Sequence, residues 1–312
     1  MSKRNSENKR HSILAPVALA SIPVALLSLG NAKFKKIFKI NRDYLNRDIV
    51  DFLPDEFTIE AFNETADRNF DWYKQSNLKH ITLDSFEGYK LDAVLVANHS
   101  DHKYVILAHD YDTDRFALLQ QAYMFDELGF NVLMIDLRGW GDSEGEYTSL
   151  GFKESLDILA WTKYLLDNDH FAKIGLYGVG LGGASVLLAC QHLKPSQVKF
   201  MISDCAYQSI RSYLENTCGA KPYMSIIARK VKSVLGFDLD DGDVLKASAK
   251  IDIPTLFIHG DKDSRVSVQD TLSLYEVCNA KKELLILENS EHGYNCYREG
   301  FKDCISNFIE NL

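Results

Sequence analysis

The residues that most clearly suggest chemistry form the glycine-rich stretch YGVGLGGAS at positions 177–185. The stretch follows a run typical of a strand and opens a run typical of a helix, and two motifs fit it. Gly178, Gly180 and Gly183 match G-x-G-x-x-G, which binds the phosphates of a dinucleotide. Gly178 and Gly182 match G-x-S-x-G, the turn that presents a catalytic serine, with Gly180 in the place of the serine.

Dinucleotide binding has some support, because Asp204 ends the next strand 21 residues after Gly183, near where a ribose-binding acid belongs. That fingerprint, however, normally lies on the first strand of its domain, and at least four strand-like runs precede it here. Small residues are also needed wherever a helix packs closely on the preceding strand. The sequence therefore favours the serine turn without its serine, and we expect no binding of NAD or FAD.

The elements that must position this turn alternate between strands and helices. Residues 79–84 and 90–97 alternate apolar and polar side chains around a turn and predict an antiparallel hairpin. Further strand-like runs follow, separated by helical patterns: YVILAH, NVLMID, KIGLYG, VKFMISD, IPTLFIHG and ELLILEN. This alternation predicts a mainly parallel sheet with helices on both faces. It is interrupted at about residues 205–250, which predicts a helical cap inserted between two strands.

The chain resembles the α/β-hydrolase superfamily, in particular its membrane-anchored bacterial branch of serine aminopeptidase-like and lysophospholipase-like proteins. The resemblance covers about residues 77–312 and rests on six stretches in the family order: VILAHDY, DLRGWGDSEG, IGLYGVGLGGAS, SDCAY, IPTLFIHGDKD and ENSEHG. It implies the α/β-hydrolase fold, a mainly parallel eight-stranded sheet with helices on both faces and a cap after the sixth strand. It implies no cofactor.

The resemblance also implies roles for particular residues. Family triads run in the order nucleophile, acid, histidine. Asp263 in HGDKDSRV takes the place of the acid, and His292 in SEHG takes the place of the base. Asp261 is the nearby alternative acid, but it is more typical of a turn-forming aspartate. Gly180 stands at the nucleophile position.

Two departures from the family pattern fall at this centre. Gly180 has no side chain, so no covalent acyl intermediate can form there. Asp110 stands where the family places a glycine, beside the oxyanion hole that the backbone N–H groups of Leu181 and Tyr111 would form. A carboxylate facing the cleft would oppose negative charge that develops on a substrate oxygen. No nearby side chain clearly replaces the nucleophile; the candidates are Ser143, Ser185 and Cys205.

The start of the chain differs from the rest. Residues 12–30 are uncharged and mostly apolar, with basic residues on both sides, and their length is just sufficient to span a bilayer. A membrane anchor is the favoured interpretation; a cleaved signal peptide and a buried or interfacial segment are the alternatives. Residues 1–42 are therefore expected to lie apart from the fold, followed by a helical extension at 43–76 and the hydrolase domain at 77–312. The membrane face stays open.

Charge and cysteine content bear on the possible partners. The formal net charge is −9, although the first 42 residues hold nine basic residues against one acidic residue. The body is thus strongly acidic, and nucleic acid is not an expected partner. The six cysteines contain no C-x-x-C pair, so neither a metal site nor a disulfide framework is expected. The sequence does not indicate an oligomeric state.

These features predict a protein of serine esterase or peptidase ancestry that lacks ordinary serine-hydrolase activity and binds a small acyl or peptide-like ligand, or another protein. One alternative is an enzyme that uses the Asp263–His292 pair on an ester, amide or small carbonyl substrate, with His292 activating water or abstracting a proton. Another is an active hydrolase whose residue 180 is an altered or miscalled serine. Because the neighbouring glycines still permit close packing, Gly180→Ser is expected to fit without rebuilding the turn.

Overall fold

The computed structural model describes residues 26–42 and 55–312, which include one eight-stranded sheet. Its order is β1-β2-β4-β3-β5-β6-β7-β8; β1 pairs antiparallel with β2 and β2 with β4, and the other neighbouring pairs are parallel. The predicted mainly parallel sheet is therefore confirmed. The strands are β1 (Leu78–Asp84), β2 (Lys90–Val96), β3 (Lys103–Ala108), β4 (Asn131–Ile135), β5 (Lys173–Val179), β6 (Val198–Asp204), β7 (Thr255–Gly260) and β8 (Lys282–Leu287).

Helices cover both faces of the sheet, as predicted. The helices are α1 (26–38), α2 (Glu56–Gln75), α3 (Leu119–Glu127), α4 (Phe152–Asn168), α5 (Leu181–Cys190), α6 (Ile210–Asn216), α7 (Met224–Lys230), α8 (Val244–Ser248), α9 (Val268–Val277) and α10 (Phe301–Glu310). The apolar cluster on one face includes side chains of α4, α5, α8 and α9, and the cluster on the other includes side chains of α2, α3 and α10. The central strands are mostly apolar because both of their faces are largely buried.

The chain between β6 and β7 forms α6, α7 and α8. Residues of α6 and α7 enclose a third apolar cluster, and α1 contributes Phe34, Ile37 and Phe38 to it. The expectation that residues 1–42 lie apart from the fold is therefore wrong for the described part of that region. The i, i+3, i+4 spacing of these three side chains gives α1 one apolar face, and this face buries itself against the cap.

Backbone contacts fix the end of α1 to the domain as well. Lys39 forms an isolated bridge with Tyr147, and the Ile40 N–H donates to the Glu146 carbonyl at 2.9 Å. Most of the predicted anchor, residues 12–25, and residues 43–54 of the predicted extension lie outside the described residues. No helix among residues 26–42 and 55–312 is long and apolar enough to cross a membrane. Anchoring through residues 12–30 stays a prediction.

Candidate active site

Gly180 forms the sharp corner between β5 and α5. Its backbone has φ 51° and ψ −111°, a combination that strains any residue with a side chain. The corner is fixed on both sides, since the Gly180 N–H donates to the Asp204 carbonyl at 2.8 Å and its carbonyl accepts from the Ala184 N–H at 3.0 Å. The chain therefore keeps the strand-to-helix turn that presents a nucleophile in serine hydrolases.

The other glycines of the motif allow this corner to pack. A Cβ atom on Gly178 would lie 2.3 Å from the Gly182 carbonyl oxygen, and one on Gly182 would lie 2.1 Å from the Ala108 carbonyl oxygen. Both distances are too short for any side chain. Close packing of strand and helix thus accounts for these glycines without a bound phosphate.

The carboxylate of Asp110 fills the space that a side chain at position 180 would enter. A Cβ atom on Gly180 would lie only 2.0 Å from Asp110 Oδ1 and 2.4 Å from its Cγ. The Leu181 N–H, which the sequence assigns to the oxyanion hole, donates to Asp110 Oδ1 at 2.7 Å. The expectation that Gly180→Ser fits unaided is therefore wrong, because the serine side chain and the Asp110 carboxylate compete for one volume.

His292 lies between two carboxylates. Its Nδ1 is 2.6 Å from Asp263 Oδ2, and its Nε2 is 3.0 Å from Asp110 Oδ2. The structure thus brings the sequence-predicted Asp263 and His292 together and adds Asp110 in a row of three, which we call the catalytic row. Sequence reasoning treated Asp110 only as a perturbing charge, whereas its carboxylate contacts His292 directly.

The charges in the catalytic row stabilise one another. Burial lowers the pKa of His292, but the Asp110 charge and hydrogen bonds with both carboxylates outweigh burial and raise this pKa well above 6.5. Burial raises the pKa of Asp110, but the His292 charge and the Leu181 N–H keep it below its ordinary value. The row therefore holds an imidazolium between two carboxylates at neutral pH. In that state His292 has no free lone pair with which to accept a proton.

Asp263 is held from several sides. Its Oδ1 accepts the backbone N–H groups of Arg265 and Val266, both at 2.8 Å, and its Oδ2 lies 3.1 Å from His259 Nε2. Burial raises its pKa, but the hydrogen bonds from His259 and His292 bring this pKa below its ordinary value. The sequence analysis did not identify His259 as a partner of Asp263. A histidine inside the apolar strand that precedes Asp263 was the signal that could have identified it.

The loop that carries Asp110 is fixed through its main chain. His109 Nε2 accepts the Leu137 N–H at 2.9 Å, so the ring proton is on Nδ1, which donates to the Asp110 carbonyl at 2.8 Å. Burial lowers the pKa of His109 to about 4, which keeps this ring neutral. The Thr113 hydroxyl donates to the same carbonyl at 2.8 Å. These contacts aim the Asp110 side chain at Gly180.

A cavity of about 600 Å³ opens beside the catalytic row, lined by Asp110, His292 and the exposed Arg265. Tyr111, whose N–H the sequence assigns to the oxyanion hole, lies in the same wall, and its hydroxyl donates to the Ile37 carbonyl of α1 at 2.9 Å. Aromatic side chains form much of the remaining wall: Phe62, Phe70, Phe116, Tyr294 and Tyr297. Such a cavity suits a small ligand with an apolar part.

The other candidate nucleophiles are engaged elsewhere. The Ser143 hydroxyl donates to the Asp136 carbonyl at 2.8 Å, and the buried Ser185 hydroxyl donates to the Leu181 carbonyl at 2.7 Å. Cys205 is buried, and burial raises the pKa of its thiol, so it does not supply a thiolate.

Two groups among the described residues bring potential metal ligands within 4.8 Å of one another. In the first, Cys205, Asp263 and His292, the Asp263 and His292 side chains bond each other at 2.6 Å, and burial raises the pKa of the Cys205 thiol. The second, Asp92, Asp136 and Asp142, surrounds the Arg115 guanidinium at 2.6 to 2.7 Å. Ion pairing explains the second group without a metal.

Comparison with known proteins places these features in a family context. The sequence profile of the prolyl oligopeptidase family matches residues 116–304. The chain is 28% identical to the uncharacterized protein YqkD of Bacillus subtilis over 83% of this chain and 88% of that protein. It is 25% identical to the uncharacterized membrane protein YNL320W of Saccharomyces cerevisiae over 73% and 78%, respectively. Among solved structures, the Pyrococcus furiosus esterase Pf2001 matches 76% of this chain and 93% of its own, with a TM-score of 0.63 and 25% identity.

Proposed function

The chain belongs to the prolyl oligopeptidase family of α/β hydrolases, and we propose that it functions without a catalytic serine. It does not carry out ordinary serine esterase or peptidase reactions, and its cavity binds a small acyl or peptide-like ligand beside the catalytic row. One observation carries this proposal: the Asp110 carboxylate lies where the nucleophile side chain of a serine hydrolase would lie.

Three requirements of acyl transfer are missing together. Gly180 offers no hydroxyl, His292 is protonated between carboxylates, and the Leu181 N–H is already bonded to Asp110. Loss of the nucleophile alone costs about 10⁶ in turnover in a serine protease. Loss of one oxyanion donor costs a further factor of about 10² to 10³. A substrate carbonyl in this centre would therefore find no hydroxyl nucleophile. Negative charge that develops on its oxygen would also lie beside the Asp110 carboxylate.

A second candidate function is an enzyme that uses the catalytic row on another type of substrate. The 2.6 Å bond between His292 and Asp263, with three further donors around Asp263, favours it. A protein that only binds a ligand does not need a histidine oriented in this way. The acid–histidine half of a triad is thus present, and only the nucleophile half differs.

Membrane association through residues 12–30 belongs to the same proposal, as does membership of the membrane-anchored, serine aminopeptidase-like branch. The name of the yeast relative and the exposed Leu26, Leu27 and Leu29 at the start of α1 support it. A test by cell fractionation compares the full chain with one that starts at residue 26, because a later start would remove α1 and uncover the cap. Equal solubility of the two chains would contradict the anchor.

A fluorophosphonate probe, which reacts with activated serines, tests the main proposal on the purified full chain. We expect no labelling and no turnover of short- or long-chain esters. The matched control is His292→Ala, which removes the base of any triad. Labelling of the unaltered chain that disappears in His292→Ala would show that a serine nucleophile exists, and the proposal would be wrong.

A further inference from the structure

We propose that Asp110 is itself a nucleophile, and that it opens epoxides by forming an ester through Oδ2 that water then hydrolyses to a diol. The proposal rests on the serine-free centre proposed above and names the substrate class of that centre. A carboxylate is an established kind of protein nucleophile, and its attack on a saturated carbon gives an ester.

The Asp110 carboxylate is placed for such an attack. Its side chain is 15% exposed and lines the cavity, so a substrate in the cavity can reach it. Its two oxygens have different surroundings, because Oδ1 accepts the Leu181 N–H while Oδ2 lies 3.0 Å from His292 Nε2. A carboxylate oxygen has two lone pairs, so Oδ2 keeps one for a carbon atom.

The same contacts serve hydrolysis of the ester. Once Oδ2 is alkylated, Oδ1 becomes the ester carbonyl oxygen and already lies 2.7 Å from the Leu181 N–H. Negative charge that develops on Oδ1 therefore meets a fixed donor. His292 Nε2, freed from Oδ2, is placed to hold the water that attacks Asp110 Cγ, and Asp263 stabilises the imidazolium that forms.

The electrons and protons balance over two steps. In the first, the Oδ2 lone pair bonds to a ring carbon, the ring C–O bond breaks, and the resulting alkoxide takes the Nε2 proton of His292. In the second, the neutral His292 takes a proton from water while the hydroxide adds to Cγ of Asp110. The Cγ–Oδ2 bond then breaks, Oδ2 leaves with the diol and takes that proton, and the new carboxyl group returns its own proton to His292.

This proton balance favours an epoxide over other electrophiles. A halide leaving group would leave the proton on His292, where it would block the base. An acyl substrate would give an anhydride in place of an ester. The alkoxide from an epoxide stays attached next to the ester carbon and removes that proton. The aromatic wall of Phe70 and Phe116 favours an apolar substituent on the ring.

The test uses the full chain with styrene oxide and a medium-chain terminal epoxide in heavy-oxygen water. Because Oδ2 leaves with the diol, we expect heavy oxygen in the Asp110 carboxylate by mass spectrometry, only when epoxide is present. Asp110→Asn should lower diol formation at least about 10³-fold. The matched control is Asp101→Asn, which alters an exposed carboxylate in the loop between β2 and β3 and should leave the rate unchanged.

His292→Gln separates the two steps. It removes the base of the second step, and the alkoxide of the first step then takes its proton from water in the cavity. The alkyl ester should therefore form more slowly but accumulate, and the peptide with Asp110 should gain the mass of the epoxide. No heavy oxygen in Asp110 of the unaltered chain, or alkylation only at another residue, would overturn the inference. If His292→Gln does not fold, the heavy-oxygen result decides alone. A negative result in the epoxide experiment does not affect the proposal that the centre lacks a catalytic serine. That proposal is overturned only by fluorophosphonate labelling.

Discussion

The two sides of His292 differ in how they are built. On the Nδ1 side, the Asp263 side chain has no exposed surface and is held by His259 and two backbone N–H groups. On the Nε2 side, Asp110 is 15% exposed, faces the cavity and is held by the Leu181 N–H. The acid side follows the pattern of the hydrolase family, while the cavity side takes its carboxylate from another loop. The buried side is thus fixed by the protein, whereas the side that faces the cavity is accessible to a ligand.

The largest expected effect comes from replacing the Asp110 carboxylate, on the Nε2 side of His292, with a serine at position 180. Gly180→Ser alone should react poorly with a fluorophosphonate, because its side chain competes with the Asp110 carboxylate. Adding Asp110→Gly frees that space, the Leu181 N–H and the His292 base, so the labelling rate should rise about 10²- to 10³-fold. If Gly180→Ser alone is labelled as fast as the double variant, the Asp110 carboxylate does not obstruct a serine at position 180.

Unfolding in urea should show a smaller contrast between the two carboxylates. Asp263→Asn removes one of the two charges that pair the buried imidazolium, and breaking a buried pair costs about 3–5 kcal/mol. Asp110→Asn keeps an acceptor for the Leu181 N–H and is partly exposed, so its cost should be about 1–2 kcal/mol. Equal losses of unfolding free energy in the two variants would show that the greater exposure of Asp110 does not weaken its contribution to stability.

The pH dependence of stability separates the groups by sign. The pKa of Asp263 is lowered in the folded chain, so its contribution is present above about pH 4 and is lost as the pH falls further. The pKa of His292 is raised, so its contribution is present below about pH 6.5 and is lost as the pH rises through the raised value. Urea unfolding from acid to alkaline pH should therefore show stability declining at both ends. In Asp110→Asn the alkaline decline should shrink, and an unchanged decline would assign it to another group.

The smallest effect concerns the cavity wall. Tyr111→Phe removes the hydroxyl that bonds the Ile37 carbonyl at 2.9 Å, which should cost about 1 kcal/mol of unfolding free energy. The ring still packs on Trp140, so the cavity should keep its shape. If epoxide turnover is retained while the unfolding free energy falls by about 1 kcal/mol, the Tyr111 hydroxyl only stabilises the cavity wall. A loss of turnover with unchanged stability would instead give its hydroxyl a direct part in binding.

Much of the architecture was predictable because it depends on local pattern. Apolar runs separated by helical periods gave the strands, and the ordered motifs gave the positions of Gly180, Asp263 and His292. The packing of α1 could not be predicted, because the basic residues around Phe34 are typical of the flank of a membrane segment, although α1 has an apolar face.

The direction of the Asp110 side chain could not be predicted. It depends on the main-chain bonds of His109 and Thr113 to the Asp110 carbonyl, and on a glycine 70 residues further along the chain. The motif places an aspartate where the resembled family has a glycine. Only the meeting of two distant loops shows that its carboxylate lies over Gly180.

The protonation state of His292 tests the central claim most directly, because the Asp110 charge is the largest of the contributions that raise the pKa of this buried ring. Nitrogen NMR of histidine-labelled protein at about pH 8 distinguishes imidazolium from neutral imidazole. We predict that His292 is protonated on both ring nitrogens in the unaltered chain and neutral in Asp110→Asn. A neutral His292 in the unaltered chain, or a charged one in Asp110→Asn, would contradict the account.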